Sequence, residues 1–461
     1  MGEQIHPQQD LEKALSTEYI SILKTVNHLG KLYTDQGKLT EAERVYQRVL
    51  EGFEKVLGIE DPLTLQAVNN LGGVYADQGK PIEAEQMYLR ALQGFEKDPG
   101  REHPLTLDTV NNLGRVYAAQ GKFIKAEETF QRALQGFERV LGIEHTLTLR
   151  VVNNFGNLYA DQGKLIQAEK MYQRGLQGSE KVLDTDISML HIVSNLGSLY
   201  INQGKLIDAE NMCLQALQGF EKALGREHMS TVRIVGNLGI LYHEQGKAIE
   251  AEQMYQQALQ GFERVLGMEH TLTLRVVNNL GKLYADQGKL VQAENMLQQA
   301  LQGSEKVLGT ETLTLQIVGN LGSLFINQGK LIDAENMCLQ ALQGFEKALG
   351  REHILTLQAA NNLAVIYTHQ GKLAKAEQIY QQALKGSETA LGTEHRLTVQ
   401  IFNNLELLYT DQGKHVEAEQ MCQRGLQGPE EMPDILKLIV QALDSVVLDT
   451  LVDNEGKAVL D

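Results

Sequence analysis

Four groups of residues in this 461-residue chain could carry chemistry: ten Gly-Lys pairs, six histidines in one recurring slot, three cysteines, and a series of asparagines. The Gly-Lys pairs belong to a tripeptide, Gln-Gly-Lys, with glycines at Gly37, Gly79, Gly121, Gly163, Gly204, Gly246, Gly288, Gly329, Gly371 and Gly413. A phosphate-cradling loop needs Gly-x-x-x-x-Gly-Lys followed by Ser or Thr, so that a hydroxyl can meet the metal. Lys38, Lys80 and Lys122 precede Leu, Pro and Phe, and the later lysines precede Leu, Ala or His. The tripeptide therefore reads as a turn between helices.

His103, His145, His228, His270, His353 and His395 recur about one period apart, too far to share a metal whose bonds to nitrogen run ~2.0–2.1 Å. They read as structural residues of an inter-repeat loop. Cys213, Cys338 and Cys422 fall where other periods carry Tyr88, Tyr172 or Tyr255, so they are expected to be small buried hydrophobes. No base recurs beside them, and no Ser/His/Asp or paired-carboxylate arrangement stands out. The chain reads as non-catalytic, with no metal and no cofactor.

The elements that position these residues follow from the period. The turn glycines are 41 or 42 residues apart, which is the signature of a solenoid. One period reads as a first helix over 64–75 with Thr64 as N-cap, the turn at Gly79, and a second helix from Pro81 to about Lys97. Ile82, Met87, Ala91, Leu92 and Phe95 form its apolar stripe. A glycine beside the first-helix Leu (Gly72) and the Ala of the second helix (Ala84) allow close approach. A further glycine inside the second helix (Gly94) costs ~1 kcal/mol relative to Ala, which points to packing against the next repeat or to a bend. Residues 201–228 and 326–353 are identical at an offset of 125 residues, three periods, so a block has been copied.

The expected organisation is a partial repeat over 1–22, a ten-repeat array over 23–428, and a capping helix with a tail over 429–461. The last carries Ile435, Leu438, Ile439, Ala442, Leu443, Val446 and Val447 on one apolar helix. Glu12 to Leu15 match Glu221 to Leu224, so the chain is expected to open on the last turns of a second helix. With 42 basic and 59 acidic residues the net charge is −17, which argues against nucleic acid as a partner. No apolar run is long enough to span a membrane. Met1 to Asp10 lack the apolar stretch of a signal peptide, so a cytoplasmic setting is expected.

Leu71, Gly72 and Tyr75 of the first helix, with Ala84, Tyr88 and Ala91 of the second, resemble the tetratricopeptide repeat in the long form found in kinesin light chains. The resemblance covers about 12–428, and the slot of Tyr75 is Tyr or Phe in every unit. The wording is most similar to fungal arrays that form the sensor half of NB-ARC-type signalling ATPases. Without a heptad segment only the fold is carried over, not a motor function. The resemblance implies an all-α, right-handed superhelical solenoid of ten helix hairpins. Two departures, Ala364 and Glu406, replace the first-helix glycine, and Glu406 is expected to loosen the last pair.

The resemblance further implies that first helices line a concave groove and that the residue before the motif Leu points into it. That residue is Asn in nine units, including Asn112, Asn154, Asn237 and Asn279, and an amide offers both donor and acceptor to a peptide bond. Two further groove slots vary between units and hold Arg115, Arg150, Arg233, Arg275 and Lys282. Arginine takes a carboxylate bidentately. The expected function is a protein-interaction scaffold holding an acidic peptide segment of a partner. The alternative is the ligand-sensing portion of an NB-ARC-type ATPase, separated from its switch module.

Overall fold

The computed structural model describes residues 7–35, 37–177, 186–307, 311–393 and 395–426. The capping helix expected over 429–461 lies outside them. Residues up to Asn362 form one compact unit and those from Leu363 a second. Twenty helices are described, and no strand is among the described residues. In chain order they are α1 (Pro7–Asp35), α2 (Leu39–Leu57), α3 (Pro62–Asp77), α4 (Pro81–Phe95), α5 (Pro104–Ala119), α6 (Phe123–Leu141) and α7 (Thr146–Asp161). Next come α8 (Leu165–Gln177), α9 (Ile187–Gln203), α10 (Leu206–Leu224), α11 (Met229–Glu244), α12 (Ala248–Leu266), α13 (Thr271–Asp286) and α14 (Leu290–Glu305). The last are α15 (Glu311–Asn327), α16 (Leu331–Leu349), α17 (Ile354–His369), α18 (Leu373–Ala390), α19 (Arg396–Asp411) and α20 (His415–Leu426).

Both ends of the first helices are set by short side chains and by glycine. Gly79 turns the chain with φ +71°, a left-handed conformation that glycine adopts without strain. Lys80 then places its ammonium 5.4 Å from the centre of the Tyr75 ring, and the equivalent pair occurs in all ten units at 5.1–5.9 Å. Gln78 donates to Glu43 of the preceding unit at 2.8 Å and Lys80 reaches the same carboxylate at 3.5 Å. The tripeptide is thus a fastener between units.

At the start of α3 the N-cap is Asp61, not Thr64: Asp61 accepts from the Leu63 N–H at 2.8 Å. Thr64 instead sits buried one turn in, and its hydroxyl donates to the Gly58 carbonyl at 2.8 Å. In six later units the cap is the recurring histidine, while Asp186 caps α9. His145, for example, accepts the Leu147 N–H on Nδ1 at 3.1 Å. Helix α1 departs from the expected opening. It runs unbroken from Pro7 to Asp35, with no loop near Thr17. Aligned on Gly225 and His228, the chain there carries Ser16 and Tyr19, so neither the glycine nor the cap that ends one helix and starts the next is present.

Most pairs lock through two glycines, one per helix. A Cβ on Gly114 of α5 would stand 2.8 Å from the Phe130 ring of α6, and one on Gly261 of α12 would stand 2.8 Å from both methyls of Val232 on α11. The second-helix glycine therefore receives a side chain of its own unit's first helix; the expected contact with the next repeat is not the main one. Cys213 and Cys338 fill the aromatic slot and are buried, as expected, but Cys422 is exposed. In the earlier units the next first helix covers this slot, as Ile234 and Leu238 do beside Cys213, and α20 is the last described helix. Ile82, assigned to the apolar stripe, is 66% exposed, because it lies at the solvent side of the first turn of α4. Helices α19 and α20 pack as a pair despite Glu406.

Within the first unit, first helices also touch one another: α1 with α3, α3 with α5, and so on to α13 with α15, while second helices make no comparable contact. First helices thus converge and line the inner face.

Candidate functional site

The inner face carries a ladder of amides that the stacking of first helices builds. Asn70 donates to Asn27 at 3.3 Å, Asn154 to Asn111 at 3.0 Å, Asn195 to Asn153 at 2.8 Å and Asn320 to Asn278 at 2.8 Å. Each bond ties one unit to its predecessor. Where the acceptor slot holds Ser194 or Gly319, the donor turns to a serine one helical turn further on. Asn237 then reaches Ser198 at 2.9 Å and Asn362 reaches Ser323 at 3.1 Å.

The ladder breaks at Asn279 and at Asn112. The acceptor slot for Asn279 holds Gly236, and the fallback position holds Ile240, which cannot accept. Asn279 only accepts a long 3.5 Å contact from Asn278, and its amide donor has no partner among the described residues. Asn112 likewise receives only a 3.5 Å contact from Asn111.

The basic residues expected in the groove have different fates. Arg150 is ion-paired with Asp108 of the preceding unit. Arg115 faces Asp77 and Asp108, whose carboxyls burial holds above their ordinary range while the arginine pulls them back. Lys282 lies 3.7 Å from Glu244. Arg233 packs 2.8 Å from Nδ1 of His191, whose proton affinity is lowered to about 4 by burial and then by the Arg233 charge. Arg275 has no ion pair among the described residues; crowding lowers its proton affinity although solvent still reaches it, and its charge in turn lowers that of Arg233. The groove is therefore not uniformly basic. Asp77, Asp108 and Glu244 share its wall; Asp108 stands in one of the two variable slots, whereas Asp77 and Glu244 stand outside them.

Arg275, Asn279 and Lys282 come together in one pocket of about 200 Å³, with Asn278, Gln316, Asn320, Gln358 and Asn362 as polar neighbours. Ile240, Gly319, Phe345, Leu355 and Ala359 complete it. Arg233 and Asn237 stand on the adjoining α11, while Asn112 and Arg115 on α5 and Arg150 and Asn154 on α7 lie outside the pocket. Sequence reasoning missed Gly319, Phe345 and Leu355. The signal for the first was present, because Gly236 and Gly319 interrupt a slot that is Asn or Ser in the other units from the second onward.

Among the described residues no group of three or more His, Cys, Asp or Glu side chains is placed to hold a metal, and no helix is long and apolar enough to cross a membrane.

No curated protein matches the chain. Similar solved structures include a Rap protein complexed with competence and sporulation factor, at 12% identity and TM-score 0.48 over 86% of this chain and 99% of that one. BtubC (BKLC) from P. vanneervenii is similar at 22% identity and TM-score 0.40, over 50% and 92%. Nearly identical TPR-like repeats of a putative kinesin light chain from Podosopora anserina are similar at 21% identity and TM-score 0.27, over 54% and 98%. The tetratricopeptide repeat profile matches residues 21–97, 66–128, 105–181, 187–263, 236–306, 311–389 and 358–431. With its paired helices and repeat-wide caps, the chain belongs to the tetratricopeptide repeat family, whose members are generally non-catalytic scaffolds suited to protein–protein interaction.

Proposed function

We propose that this protein is a non-catalytic scaffold that holds an extended, acidic peptide segment of a protein partner along the inner face of its first helices. Arg275, Asn279 and Lys282 are the principal contacts, and Arg115 with Asn112 extends the surface toward α5. The observation that carries the reading is Arg275: a cation on the inner face without a carboxylate partner among the described residues, whose charge is felt by a second cation, Arg233. Two like charges at close range are relieved by an anion between them, and a guanidinium pairs with a carboxylate in fixed two-point geometry. The amide N–H of Asn279, without a partner among the described residues and one turn along α13, supplies a donor for a backbone carbonyl.

Fluorescence anisotropy with labelled nine-residue peptides rich in Asp and Glu, against Lys-rich peptides of the same length, tests this. The acidic peptides bind and are released by salt, and Arg275→Glu weakens them by about tenfold or more. Equal binding of both peptide classes, or no effect of Arg275→Glu, sinks the proposal.

A further inference from the structure

We propose that the pocket beside Gly319 is a specificity subsite that takes one bulky apolar side chain, such as Leu or Phe, from the bound peptide; this rests on the peptide-binding reading above. The array is close to uniform at the slot of Gly319, which holds Asn in most other units, including Asn278 and Asn361, both buried. Glycine removes that side chain where the walls come from the first helices α11, α13, α15 and α17, with Phe345 of α16. A Cβ added at Gly319 makes only one ordinary contact, with Ala341 Cβ at 3.8 Å, so no neighbour there demands glycine. This distinguishes it from the locking glycines, whose added Cβ collides with a neighbouring side chain.

The opened space has an apolar lining in Ile240, Phe345, Leu355 and Ala359, and Phe345 and Ala359 are otherwise buried in the core of α16 and α17. At about 200 Å³ it is smaller than the ~300–1,000 Å³ of pockets that enclose drug-sized ligands, and suits a single side chain. Arg275 and Lys282 line the same pocket. That combination fits an apolar residue flanked by acidic ones and rejects a basic flank.

The test compares two acidic nine-residue peptides that differ only at the central residue, Leu or Ala, on the full chain and on Gly319→Asn. Asparagine is already tolerated at this slot in other units. Gly319→Ser, which copies Ser194, is the milder second variant, and melting curves confirm that both fold. On the native protein the Leu peptide binds about tenfold or more tighter than the Ala peptide, as burial of the extra carbons requires. On Gly319→Asn that preference falls below about twofold, and on Gly319→Ser it lies between. Equal binding of the two peptides to the native protein, or a preference that survives both substitutions, overturns the subsite while leaving the acidic-peptide reading intact. Failure of both peptides to bind overturns both.

Discussion

His353 Nε2 donates to the backbone carbonyl of Asp161 at 3.0 Å, joining residues 192 positions apart, while its Nδ1 accepts the Leu355 N–H at 3.2 Å. A carbonyl can only accept, so the ring is neutral with its hydrogen on Nε2. One imidazole thus caps α17 and holds the end of α7, five units earlier. The turn behind Asp161 is correspondingly covered: Gly163 and Leu165 are buried, whereas the same turn glycine is exposed or half-buried in every other unit. His353→Ala removes both bonds. The expected loss is about 1 kcal/mol from the cap, with faster amide hydrogen exchange over residues 162–165 as well as at Leu355. Exchange changing only around Leu355 means that the long-range bond holds nothing.

Acid should weaken the fold through imidazoles that their surroundings hold neutral. His191 has its proton affinity lowered to about 4, and His270 and His353 are lowered by burial too. Against an unfolded value of ~6.5, the unfolded chain takes the proton first. Their contribution is therefore fully present above about pH 6.5 and is lost as pH falls toward 4, at most roughly 3 kcal/mol for His191. Asp161 works in the opposite sense, because burial raises its carboxyl to about 6 and the fold binds that proton more readily. The melting temperature should fall from pH 7 to pH 5, less in His191→Gln and more steeply in Asp161→Asn. A flat profile in the native protein contradicts this.

Two arginines of the same slot should separate in their effects on stability. Arg150→Glu sets a second carboxylate against Asp108 and is expected to cost about 1 kcal/mol. Arg275→Glu removes a cation that repels Arg233 and should leave the melting temperature unchanged or raised. Differential scanning calorimetry of the two variants decides it.

Gly261→Ala should destabilise although alanine is the better helix former by ~1 kcal/mol. Its methyl meets both branches of Val232, a stiff side chain buried at the pair interface, and overpacking of this kind costs typically ~1–3 kcal/mol. Val232→Ala in the same chain should recover part of the loss, a coupling readable from urea midpoints.

Gly236→Asn should do the reverse. An Asn there restores the missing acceptor for Asn279, and a Cβ at Gly236 meets only Ala258 at an ordinary 3.7 Å. About 1 kcal/mol of added stability is expected from the bond and the helix propensity together, along with weaker acidic-peptide binding as the donor is withdrawn.

The thiols provide a check on the last pair. Burial pushes Cys213 and Cys338 up to about 12, so neither offers a thiolate near neutrality, while Cys422 is exposed. Iodoacetamide at pH 8 should label one cysteine in the native protein and three in denaturant, as counted by mass spectrometry.

The helix pairs, their turns and the loop role of the histidines were legible in the sequence, because each is written within one 42-residue period. Thr64 was misplaced as a cap although Asp61, three residues earlier, ranks above Thr by cap propensity, and the fold turns Thr64 inward to Gly58. The pairing of Arg150 with Asp108, and the orphaning of Asn279, depend on which residues one period apart come to lie side by side. That is set by the rotation between stacked units, which no single period encodes. Gly236 and Gly319 were visible as interruptions, but only the stacked helices show that one strands an amide and the other opens a pocket.

Both glycine locks join residues of one unit, and this has a genetic corollary. Helices α10 and α16 are identical in sequence, and Cys213 sits beside Gly197 just as Cys338 sits beside Gly322. Unequal crossing-over between such segments delivers a unit whose interior is already complete. What changes hands is the inner face: His191 and Ser194 in one copy are Gln316 and Gly319 in the other. Recombination can therefore redraw the ligand-reading surface without renegotiating the core, and the array's repertoire can expand by rearranging parts it already owns.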